Sequence, residues 1–182
     1  MNFKSARQVL HDAFNIDEKT PNPMEARGTR QNNNAQIADR VEAGKVFAVV
    51  DKMSPLLKSW VRIVYARRSG KTDFERVYNY LWREMVKRHG NEDALLVFTK
   101  NRRLISLAVY AVQTEMHIEW NGNNPYHDAL ISKDLEMAPQ NFRRDFGVVY
   151  DAMRDIIHEL VPKSLGPVAR LVELEKEKAE AA

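Results

Sequence analysis

The sequence predicts an all-α protein, and three observations predict it. Apolar residues recur every three or four positions along most of its 182 residues, and few windows alternate apolar and polar residues. Seven glycines and seven prolines leave room for long uninterrupted helices. With 44% hydrophobic and 29% charged residues, the chain has the composition of a folded core, not of a disordered polar segment. The absence of cysteine excludes a disulfide framework and thiolate metal sites. No apolar run has the roughly 18 residues of a membrane span, and Met1–Arg7 lacks a secretory signal core, so a cytoplasmic location without membrane contact is expected.

Taken in order, a first short helix spans about Ser5 to Phe14, with Val9, Leu10 and Phe14 on one side. Pro21, Pro23, Gly28 and the run Asn32-Asn33-Asn34 then have linker composition, predicting a flexible connection from about 16 to 34. A helix from about Gln36 to Met53 places Ile37, Val41, Val46, Phe47 and Val50 on one face. Ser54 before Pro55 is a cap followed by a first-turn proline, and starts a helix to about Arg68. Its inner residues are Leu56, Leu57, Trp60, Ile63 and Val64. Thr72-Asp73-Phe74-Glu75 fits a capping box for a helix ending at His89, with Phe74, Val77, Leu81 and Met85 inside. A short helical piece is expected over Glu92–Phe98. A long helix follows from about Asn101 to Trp120, closed by Asn121-Gly122.

Near the C-terminus two helices are expected with a very short break, about Pro125 to Glu136 and Pro139 to Val161. The second carries a narrow stripe of Phe142, Phe146, Val149, Met153, Ile156 and Leu160. Gln140, Arg143, Arg144 and Gly147 fall off that stripe. The organisation expected is a short helix and linker over 1–34, an all-helical body over 35–165 and a charged tail over 166–182.

Charge is unevenly spread. The net value is +3, from 28 basic and 25 acidic residues. Between Ser54 and Thr72, Lys58, Arg62, Arg67, Arg68 and Lys71 occur without any acid, whereas Glu173, Glu175, Glu177 and Glu180 dominate the tail. Ser69-Gly70-Lys71-Thr72 has the ending of a phosphate-binding loop. The glycine that motif needs five residues before Gly70 is Tyr65, so nucleotide hydrolysis is not expected. His11, His89, His117, His127 and His158 have no metal spacing, and Glu115, His117 and Glu119 spread around a helix as surface residues. No enzyme activity, metal or cofactor is expected.

The string from Ala129 to Phe146 resembles a helix-turn-helix. It has apolar Ile131 and Leu135, small Ser132, apolar Met137 at the turn and apolar Phe142 in the second helix. It departs at Glu136, where glycine is usual, and at Asp145, where an apolar residue is usual and Phe146 stands next. On this reading Gln140, Arg143 and Arg144 face base edges freely, with Asn141 less exposed. Gln and Asn suit adenine and Arg suits guanine. Lys133, Arg67, Arg68 and Lys71 are candidates for backbone phosphates.

More widely, three pieces resemble phage-encoded late-gene antitermination proteins and prophage transcription regulators. They are Ser54-Pro55-Leu56-Leu57-Lys58-Ser59-Trp60-Val61-Arg62, Arg103–Val109, and Asn141–Phe146 with Leu165-Gly166-Pro167-Val168-Ala169. The resemblance implies a regulator in a host cytoplasm that binds double-stranded DNA, engages RNA polymerase and permits terminator read-through. Two other readings of the same residues are a helical module that binds a host protein without DNA, and a DNA-binding repressor.

Overall fold

A computed structural model describes residues 5–16, 33–66, 69–89 and 101–181; in residues 33–39 and at His89 it describes the backbone alone. These residues form helices and no strand. The helices are α1 (Ala6–Asn15), α2 (Asn33–Asp51), α3 (Pro55–Tyr65), α4 (Lys71–His89) and α5 (Arg102–Asn121). They continue with α6 (Asp128–Asp134), α7 (Pro139–Asp145), α8 (Gly147–His158) and α9 (Leu160–Glu180). No helix among the described residues is long and apolar enough to cross a membrane. The expected linker over 17–32 and the helical piece over Glu92–Phe98 lie outside the described residues.

The chain divides into two compact units, Met1–Ser69 with Lys163–Ala182, and Gly70–Pro162. The sequence had suggested a single body over 35–165.

In the first unit, α1, α2 and α3 pack on one another. Ser5 caps α1 by accepting from the Gln8 N–H, and Ser54 caps α3 by accepting from the Leu57 N–H, with Pro55 in the first turn. Leu10, Ala43, Val46, Val50, Trp60, Ile63 and Val64 are buried. The Phe14 and Phe47 rings meet edge-on at 5.0 Å. The stripe expected on α2 is corrected at Val41 and Phe47, which are exposed, because Ala43 turns inward with Val46 and Val50. The tail is corrected too: residues expected to follow the fold as a charged segment continue α9 to Glu180, through Pro167, and Glu175 accepts from Lys45 of α2.

In the second unit, α8 packs on both α4 and α5. The capping box expected from Thr72 to Glu75 is corrected: the helix already begins at Lys71, and only the return half of such a box is made, to Gly70. The Gly70 N–H donates to Asp73 Oδ2 at 3.2 Å, so Asp73 supplies the reciprocal half of the box and is buried. Val77, Leu81 and Met85 are buried as expected. Asn101 caps α5 by accepting from the Arg103 and Leu104 N–H groups. Gly122 closes it at φ 73°, a left-handed residue that glycine adopts without penalty.

The continuous helix expected from Pro139 to Val161 is broken. Phe146 takes φ −128°, ψ −14°, separating α7 from α8, and Glu159 separates α8 from α9. The break rotates the inner face, so Tyr150 and Ile157 join Phe142, Met153, Ile156 and Leu160 in the core. Gly147, expected to face outward, is buried.

Candidate nucleic-acid interface

The hairpin starts at α6, which is short because the chain before it is extended up to His127. Ile131, Ser132 and Leu135 point inward, and so does Phe142 of α7. Between the helices Glu136 adopts φ 55°, the one positive φ among the described non-glycine residues. The Met137 N–H donates to the Ser132 carbonyl at 3.0 Å and the Glu136 N–H to the Lys133 carbonyl at 3.1 Å. This bond pair around a left-handed residue is a Schellman closure. It sits at the position where a helix-turn-helix usually has glycine, so the turn forms there in spite of the glutamate. Ala138 is extended, and Pro139 opens α7.

Two tyrosines hold the hairpin to the rest of its unit. The Phe142 ring meets Tyr150 at 6.1 Å, and the Tyr150 and Thr114 hydroxyls are hydrogen-bonded at 2.8 Å in the core. The Tyr110 hydroxyl donates to the Asp134 carboxylate at the end of α6. Burial, reinforced by that carboxylate, pushes the Tyr110 hydroxyl up to about 12.

Gln140 is exposed as expected, and Asn141, expected to be less so, is exposed too. The expectation of a free arginine pair is corrected. Arg143 donates from Nε to Asp128 at the start of α6 and from Nη1 to Asp151 of α8 at 3.0 Å. Arg144 donates to both carboxylate oxygens of Asp145, at 2.6 and 3.0 Å. Hydrogen bonds to these carboxylates raise both guanidinium pKa values above the ordinary range, and Arg144 holds the Asp145 carboxyl below its own. The cause lies in the hairpin's shape. The tight turn brings the first residue of α6 beside α7, and the chain past Phe146 brings Asp151 to the other side of Arg143.

Arg143 also has a seat. A Cβ on Gly147 would lie 3.1 Å from Arg143 Cδ, so the buried glycine leaves room for that side chain. Arg143 is therefore half-buried hardware of the hairpin, joining α6, α7 and α8, whereas Arg144 has 70% of its side chain exposed.

Lys133 is exposed at the end of α6. Lys71 stands exposed in the first turn of α4, 3.7 Å from Glu75 of the same helix, and is not part of the hairpin. Arg67 and Arg68 lie outside the described residues. From Asp128 to Asp151 the acids Asp128, Asp134, Glu136, Asp145 and Asp151 outnumber Lys133, Arg143 and Arg144, five to three.

Sequence reasoning missed a second polar cluster. Glu115, expected at the surface, is only 2% exposed. Its Oε1 accepts from Arg154 Nε and Nη2 at 3.0 and 2.8 Å, and its Oε2 lies 2.9 Å from His158 Nδ1. The three residues tie α5 to α8. The signal available in sequence was the four-residue step from Arg154 to His158, which puts both on one side of α8. Among the described residues no group of three or more histidines or acids is placed to hold a metal ion.

No protein-family model, curated protein or solved structure matches the chain. The class that its own geometry defines is an all-α protein whose second unit carries a short helical hairpin closed by a left-handed turn at Glu136.

Proposed function

We propose that this chain is a DNA-binding transcription regulator that meets a duplex through the α6–α7 hairpin. The observation that carries this reading is the left-handed turn at Glu136, with Ile131, Leu135 and Phe142 inside and Gln140, Asn141 and Arg144 outside. A short helix whose polar face projects from such a turn has the shape and the donors for a major groove. Gln140, Asn141 and Arg144 are assigned to base edges and Lys133 to phosphate. Arg143 is reassigned: its carboxylate pairs orient α7.

The Arg144–Asp145 pair does not bar this role. A solvent-exposed ion pair is worth little, so an acceptor on a base can replace the aspartate at small cost. Arg144→Ala is expected to weaken binding by about 1–3 kcal/mol and to relax preference at one base pair, as measured by gel shift. Unchanged affinity and unchanged preference would remove α7 as the reading helix.

Within this class the resemblance to late-gene antitermination proteins favours action on RNA polymerase. Terminator read-through by purified polymerase, with and without the protein, tests it; a repressor lowers transcription in the same assay. The acid excess over Asp128–Asp151 favours a second reading, a module that binds a basic protein surface without DNA. That reading expects a protein partner retained after nuclease treatment and no salt-dependent duplex affinity. Neither reading assigns the chain a catalytic role.

A further inference from the structure

Two sides of α5 are engaged within its own unit. One carries Thr114 and Glu115, which bond to Tyr150, Arg154 and His158 of α8. The next carries Tyr110 and His117, whose rings meet Tyr126 at 5.3 and 5.5 Å, with the Tyr110 hydroxyl bonded to Asp134. The third side carries Ile105, Val109, Met116 and Trp120, in line along one unbroken helix. Ile105 and Trp120 are 44% and 46% exposed, and Val109 and Met116 are partly exposed between them. One exposed apolar residue is ordinary; four in line on one helix make a surface suited to a partner.

The pattern of the row selects the partner. It is symmetric about a point between Val112 and Gln113: Ile105 and Trp120 lie equally far on either side of it, and so do Val109 and Met116. A second α5 laid antiparallel across the row sets Ile105 against the partner's Trp120, and Val109 against the partner's Met116. Such self-complementarity is what a two-fold interface requires. The ends of the helix are complementary too. Arg102 and Trp120 are separated by about five full helical turns, so they lie on one line of α5. The antiparallel copy therefore brings Arg102 beside the partner's Trp120, a cation–π contact. Arg103 comes near the last carbonyls of the other α5, the negative end of that helix dipole. Among the described residues neither arginine side chain forms an ion pair.

We infer that this chain self-associates through α5, two copies packing antiparallel about a two-fold axis beside Val112 and Gln113. The inference stands on α5 and is independent of the DNA-binding reading. Sedimentation of the full chain is expected to show a mass that rises from one chain towards two across the micromolar range, since a single helix pair is a small interface. Ile105→Asp, at an exposed position, is expected to raise the dissociation constant about tenfold or more, with helix content checked by circular dichroism.

The chain has no cysteine of its own, so oxidation reports the geometry directly. Gln113→Cys, beside the axis and leaving the apolar row intact, is expected to give a disulfide-linked dimer. Ser106→Cys is not, because antiparallel packing holds the two copies of that position roughly 20 Å apart along the helices. If Ile105→Asp loses helix content, this cysteine pair carries the test alone. A chain that stays monomeric at every concentration overturns the inference. So does a dimer indifferent to a folded Ile105→Asp, or one that Ser106→Cys cross-links as readily as Gln113→Cys. Duplex titration tests the DNA-binding reading separately, so failure of one leaves the other standing.

Discussion

Glu136 carries the sharpest residue-level consequence. A side chain at φ 55° is strained by contact of its Cβ with the backbone, at a cost of roughly 1–2 kcal/mol that glycine avoids. Glycine also brings more unfolded-state freedom, which takes back part of the gain. Glu136→Gly is therefore expected to raise stability by about 0.5–1 kcal/mol in urea unfolding; a loss would show that the glutamate side chain stabilises the turn. Tyr110 gives a pH dependence. Its hydroxyl titrates near 12 in the folded protein and near 10 when unfolded. The folded state thus holds this proton more tightly, and the stability it contributes is full below pH 10 and disappears as pH rises through 12. Ultraviolet titration should show that Tyr110→Phe removes a tyrosine ionising near pH 12, and alkaline unfolding of the variant should be flatter over that window.

At the scale of elements, the hairpin depends on Phe142. The ring is fully buried and is the buried side chain of α7, whose other tie to its neighbours is the pairing of Arg143 with Asp128 and Asp151. Phe142→Ala is expected to cost about 3–5 kcal/mol in equilibrium unfolding. A loss below 1 kcal/mol would mean that the hairpin is not packed through this ring. Helices with strong local signals were legible in sequence: Ser54 caps α3 where its side chain suggests, and Gly122 stops α5. The break at Phe146 was not. Nothing local forbids a helix through Phe146-Gly147-Val148, and the steps of three and four continue across it. At the break Gly147 is covered by the Arg143 side chain, and beyond it the Tyr150 hydroxyl reaches Thr114 in the core. The Tyr150–Thr114 contact joins residues far apart along the chain, and no local window of sequence contains it.

For the whole molecule, the net charge of +3 hides an acid-rich hairpin and a basic stretch elsewhere. If duplex binding follows the proposal, affinity must draw on basic residues beyond α7, because the hairpin itself carries more acid than base. Changing Arg67, Arg68 and Lys71 together to alanine is expected to lower the slope of log affinity against log salt by about 0.9 for each phosphate contact removed. An unchanged slope would take this stretch out of the interface. The division at Ser69 and at Pro162 was also hidden from sequence, because the first unit joins residues from the two ends of the chain. Composition shows linkers but does not reveal which distant helices share a core.

By itself the sequence determined that this protein is helical, where most of its helices begin, and which side chains of the C-terminal hairpin face inward. Period, caps and turn residues are local physics, written within a few positions of one another. Tertiary structure alone decided that Arg143 is held between Asp128 and Asp151, that Glu115 is buried with Arg154 and His158, and that Phe146 breaks a helix. Those outcomes depend on which carboxylate a fold brings next to which cation. Coulomb attraction acts through space, and the order of residues along a chain does not record that distance.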